Sequence, residues 1–176
     1  EGESLAQLQL MKAQSQWKLG RHQSAWRTLA AGETRFDDPE FTRQRIFMML
    51  ELGLYREAVE VSTRFLATTE AGPEDYLALG EGLRRNGQYE ESIEFLEMAR
   101  LVYPNDKRVV VQLAHAHVDA GMPLAAADLF QRAAELDPKF VLESAELYRR
   151  AGAYERALYM NAQVSDQNEK FRQRVA

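Results

Sequence analysis

Cysteine is absent from the 176 residues. That excludes a disulfide, a zinc-thiolate site and a cysteine nucleophile, and it leaves the redox compartment open. No apolar run approaches the ~18–20 residues that span a bilayer, so membrane insertion of this segment is not expected. An excess of positive charge is also missing. Lys and Arg number 22 against 27 Asp and Glu, for a formal net charge of −5. Nucleic-acid backbones and anionic lipid surfaces reward clustered cations, so neither is expected as the main partner. The first residues, Glu1-Gly2-Glu3-Ser4, contain neither an initiator Met nor a signal stretch, as in a processed or excised chain. Catalytic signatures are equally scarce. There is no phosphate-cradling glycine loop, no Ser-centred elbow and no His-Glu-x-x-His pair. The expectation is a protein that is not an enzyme and carries no cofactor and no metal. What remains is enough apolar material, 45% of residues, for one domain-sized core.

Glycine sets a beat along that material. Gly20, Gly53, Gly87, Gly121 and Gly152 are separated by 33, 34, 34 and 31 residues. A period in this range marks stacked supersecondary units rather than a single irregular fold. The clearest unit is PEDYLALGEGLRRNGQYEESIEFLEMARLVYPND, residues 73–106, and KRVVVQLAHAHVDAGMPLAAADLFQRAAELDPKF, residues 107–140, repeats it. Within the repeat, place 4 is Tyr76 or Val110, places 7 and 8 are Leu79-Gly80 or Leu113-Ala114, and place 15 is Gly87 or Gly121. Place 20 is Ser92 or Ala126, place 24 Leu96 or Phe130, place 27 Ala99 or Ala133, and place 32 Pro104 or Pro138. Small residues at places 8, 20 and 27 let helices approach within ~8–10 Å. Glycine ends the first helix in the left-handed region, and proline ends the second.

This pattern resembles the tetratricopeptide consensus. The resemblance implies an all-α fold, a right-handed superhelical solenoid of antiparallel helix hairpins. It covers one array over residues 1–176, with units at about 6–38, 39–72, 73–106, 107–140 and 141–165 and a partial sixth at 166–176. The outer units depart from the pattern. Gln9 and Lys12 stand where apolar residues are usual, Phe65 replaces a small residue, Glu70 replaces proline, and the first helix of the fifth unit is about three residues short. Helices are predicted at 4–19, 22–35, 39–52, 55–69, 73–86, 89–102, 107–120, 123–136, 139–151, 154–164 and 166–176. Neither end carries a convincing polar cap. That fits a fragment of a longer array, or ends covered by another molecule.

In the family, places 2, 5, 9, 12 and 13 of the first helices line a concave groove, and their spacing puts them on one helical face. The resemblance assigns to it Arg43, Phe47, Leu77, Glu81, Arg84, Arg108, Val111, His115, Val118, Leu142 and Arg149, together with Leu50, Glu51, Glu74, Arg85, Asp119, Lys139, Glu146 and Arg150. Such a lining suits an extended or helical peptide with apolar anchors and a carboxylate for arginine to grip. Arg84 and Arg108 are expected on one stretch of this surface, beside Leu77 and Val111, as a seat for that carboxylate. The plainer readings are that the Arg84-Arg85 and Arg149-Arg150 pairs meet helix dipoles, and that Leu77, Val111 and Val118 pack between helices. His115 and His117 point to different faces, so no shared metal is expected and His117 has a packing role. Trp17 and Trp26 are also read as structural.

The carboxylate clamp that holds chaperone tails is not reproduced. Its places hold Leu77, Glu81, Gln112, Lys139 and Glu143, where Lys139 alone fits, or Arg43, Phe47, Ala78, Arg108 and Gln112, where Arg43 and Arg108 fit. The functional expectation is an interaction scaffold for a protein or peptide within a larger assembly. A bacterial origin, in the cell envelope or the cytoplasm, fits its cysteine-free and degenerate repeats. The alternatives are a self-assembling module that forms a homo-oligomer through its array ends and, disfavoured by the acidic balance, helical-repeat RNA binding.

Overall fold

The computed structural model describes residues 2–163. Among them there is no strand, and the helices follow one another as hairpins. They are α1 (Gly2–Lys18), α2 (His22–Arg35), α3 (Glu40–Glu51), α4 (Tyr55–Thr68), α5 (Pro73–Arg85), α6 (Tyr89–Val102), α7 (Lys107–Asp119), α8 (Pro123–Leu136) and α9 (Val141–Arg150). A further helix, α10, runs over 154–163. The short first helix of the fifth unit has a visible cause: Pro138–Phe140 form a single 3-10 turn, and α9 begins only at Val141. The helix expected over 166–176 lies outside the described residues.

Every first helix ends the same way. Gly20, Gly53, Gly87, Gly121 and Gly152 all have φ between 72° and 81°. Each donates its N–H three residues back, as Gly121 does to the Val118 carbonyl at 3.0 Å. The next residue donates five residues back, as Met122 does to His117 at 2.8 Å. This is the Schellman arrangement, and it uses up the orphan carbonyls of the helix end. The residue that closes one helix also opens the next. The carbonyls of Arg21, Leu54, Gln88, Met122 and Ala153 accept from Ala25, Ala58, Ser92, Ala126 and Ala157, all within 3.1 Å. Within these five joints no residue is left over between the two helices.

Contacts gather into two compact units, Glu1–Gly82 and Leu83–Ala176. In the first, Ala6, Leu10, Ala13, Ala25, Leu29, Phe41 and Met48 form a buried cluster, with Trp17 and Phe36 packed on it. The departures from the repeat pattern are absorbed there. Gln9 Nε2 donates to the Thr28 carbonyl at 2.9 Å, and Thr28 Oγ1 donates to Gln16 Oε1 at 2.7 Å, so polar rungs join α1 to α2. Phe65, bulky at place 27, is matched by buried Ser62 at place 24, where three of the other units have Leu29, Leu96 and Phe130. The two volumes are exchanged on one face of α4.

The second unit is cored by alanines. Ala114, Ala116, Ala126, Ala127 and Ala133 are all fully buried between α7 and α8, where larger side chains would hold the helices apart. Leu96, Leu113, Phe130 and Tyr148 fill the remaining space. Ser144 Oγ donates to the Ala127 carbonyl at 3.0 Å and fixes α9 on α8. The Tyr148 hydroxyl reaches Asp128 and Gln131, each at 2.6 Å, with Arg156 bonded to the same Asp128 at 3.0 Å. Burial, then the adjoining carboxylate, pushes the phenol pKa up to about 12.

Candidate functional site: the first-helix face

In the first unit, Arg43 does not stand open to a ligand. Its Nε and Nη2 donate to the two carboxylate oxygens of buried Asp75 at 2.9 and 3.0 Å, and its guanidinium lies 5.3 Å from the Phe65 ring centre. That bond to Asp75 is the main reason its pKa lies above the ordinary arginine value. Phe47 is half exposed on the same face of α3. Leu77 and Glu81, on α5, are half-buried.

In the second unit, α7 carries the row Arg108, Val111, His115, Val118 and Asp119 along one face. Val111 and Val118 are half-buried and pack on the alanine-rich core, so the packing role holds for their inner edges while their outer edges stay open. His115 is exposed and meets Phe130 edge-on at 5.3 Å. His117 turns inward instead. Its Nδ1 is buried with no hydrogen-bond partner, and desolvation lowers its pKa, partly opposed by Glu97. On α9, Leu142 and Arg149 are exposed, and Arg149 is bonded to Glu146 at 2.6 and 2.8 Å. That bond holds the Glu146 carboxyl below its usual range.

The expected pairing of Arg84 with Arg108 is not formed. Arg84 donates to Asp119 at the C-terminal end of α7, at 2.5 Å. Arg108 turns back onto Asp106, the N-cap of the same helix, with bonds of 2.6 and 3.0 Å. Eleven residues at a rise of 1.5 Å put Arg108 ~16 Å along the helix from Asp119, where Arg84 is attached. The reason is register: places 2 and 13 share a face but lie three turns apart. Arg84 and Arg108 therefore bracket the row Val111–His115–Val118 and do not make one seat. The Arg108 bond is also the chief cause that holds the Asp106 carboxyl below its usual range.

Sequence reasoning missed the carboxylates Asp75, Asp106 and Asp119 as partners of these cations. A signal existed only for Asp106, which directly precedes a helix start and is an ordinary N-cap residue.

Taken with the repeated turns, this geometry defines the class: the fold is the tetratricopeptide type. Among solved structures, MamA from Desulfovibrio magneticus RS-1 superposes with a TM-score of 0.77 at 22% identity, covering 94% of this chain and 96% of that one. Another MamA structure reaches a TM-score of 0.79 at 14% identity over 96% of this chain and 94% of that one. A thermophilic TPR protein of Thermus thermophilus gives 0.67 at 24% identity over 94% and 92%. No protein-family profile matches the sequence, and no curated protein does. At these identities the likeness is one of fold. No described helix is long and apolar enough to cross a membrane.

Proposed function

We propose that this protein is a non-catalytic interaction scaffold that holds a peptide or protein segment on its first-helix face. The observation that supports this reading is the row on α7. Val111 and Val118 are seated on a packed core yet half open to solvent, with exposed His115 between them and an arginine at each end. A rigid apolar floor bordered by donors suits a segment with one or two apolar anchors and flanking carboxylates. Because both arginines are already paired, a ligand carboxylate gains only what it adds over Asp106 or Asp119. The face thus favours apolar anchoring over ionic clamping.

A peptide-display selection against residues 1–176 supplies a ligand, and the double variant Arg108→Glu/His115→Glu tests the site. Both side chains are exposed, so helix content and melting temperature should hold. Affinity for the selected peptide should fall more than tenfold, or ~1.4 kcal/mol. Equal binding by the variant would place recognition on another surface and sink this assignment.

A further inference from the structure

The outer face of α6 is divided along its length. Glu90, Glu91 and Glu94 are exposed on its first two turns and form no ion pair among the described residues. Met98, Leu101 and Val102 follow on the same face and are 55%, 77% and 58% exposed. All six fall within ~120° of arc at 100° per residue, opposite the buried Ser92, Leu96 and Ala99. The repeat does not demand this patch. At the places of Met98 and Leu101, α4 has Arg64 and Ala67 and α8 has Arg132 and Glu135.

A surface of opposite character lies on the first unit. Between α1 and α2 runs an open groove with Leu5, Leu8, Ala31 and Phe36 among its lining residues, and with Lys12, Arg27 and Arg35 as its charges. No carboxylate lines it. Its apolar side chains gather near the start of α1 and the end of α2, while Lys12 and Arg27 lie further along.

We propose that this groove receives the outer face of α6 from a second copy of the chain. With α6 antiparallel to α1, Met98 and Leu101 meet Leu5, Leu8 and Phe36, and Glu91 and Glu94 meet Lys12 and Arg27. The same ~15 Å of helix, about ten residues, carries both halves of the match on each side. The contact is heterologous, joining two different surfaces, and it is independent of the peptide-binding face on α7. Charge complementarity selects the register, and the apolar ends supply the burial.

Light scattering and sedimentation equilibrium of residues 1–176, from micromolar to near-millimolar, test it. The wild-type mass should rise with concentration and fall back in high salt. Glu91→Lys/Glu94→Lys and, separately, Lys12→Glu/Arg27→Glu should each remain monomeric with an unchanged melt. An equimolar mixture of the two variants should assemble again, because each reversed surface then finds its opposite. A wild type that stays monomeric throughout overturns the proposal. So does an oligomer that both variants preserve, or a mixture that fails to recover.

Discussion

A methyl group on Gly32 would fall far inside van der Waals contact with Cε1 of the Phe41 ring. The ring is fully buried, and it stacks on Phe36 with centres 5.9 Å apart, so it has no free space to move into. Gly32 is at place 27 of its unit, where the two clearest repeats have Ala99 and Ala133, and here even Ala is too large.

Gly32→Ala should therefore destabilise the first unit by roughly 1–3 kcal/mol, although Ala is the better helix former. Thermal unfolding measures this. Gly82→Ala is the control: its added carbon would sit 3.1 Å from a Val59 methyl, a contact that a small shift relieves, and its melt should move less.

Overpacking at the other end of the size scale is tested at Ala126. It is fully buried in the core that α7 and α8 share. Ala126→Leu should cost roughly 1–3 kcal/mol. A melting temperature unchanged to within error would mean that the two helices separate there without loss.

The Arg43–Asp75 bond is protected, while the Arg149–Glu146 bond is open to water. Asp75→Asn should cost about 2 kcal/mol by stripping a charged bidentate partner from Arg43. Glu146→Gln should leave the melt where it was, because an exposed ion pair is screened and entropically costly. A denaturant titration of both variants checks the ordering, and a larger effect at Glu146 would contradict it.

His117 gives the fold a pH dependence of definite sign. Burial lowers its folded pKa below its ordinary value. Above pH ~6.5 the ring is neutral in both states and contributes nothing. As pH falls below that, the unfolded chain takes up a proton that the fold resists, and stability declines until the folded pKa is passed. His117→Phe should flatten the change of melting temperature between about pH 7 and 5 relative to the parent. A parallel slope in both proteins would assign the dependence to other groups.

The helices and their ends were readable because glycine at place 15 is a local requirement: one residue in the left-handed region writes the boundary. The small residues at places 8, 20 and 27 were readable for the same reason, since volume at a crossing leaves a trace in a single position. The exchange of Ser62 with Phe65 was half visible, as the large residue stood out and its small compensator did not. Arg43 with Asp75 was not visible, because 32 residues separate partners that no local rule connects. Arg84 and Arg108 failed differently. The helical face was right, but a face has length, and three turns separate their attachment points.

The shared residue between paired helices has a consequence for how this chain can be altered. Arg21, Leu54, Gln88, Met122 and Ala153 all make the joint through backbone atoms, and five unrelated side chains occupy the position, although Gln88 also accepts from Asn86 and Ala153 packs on the core. Substitution there should be nearly free, but insertion should not. One extra residue has no slack to enter and would swing the following helix by ~100°, turning its alanine face away from its mate. Met122→Cys would then introduce the chain's single thiol at a tolerant pivot. A spin label or dye attached there would report on this joint without competing reactive sites.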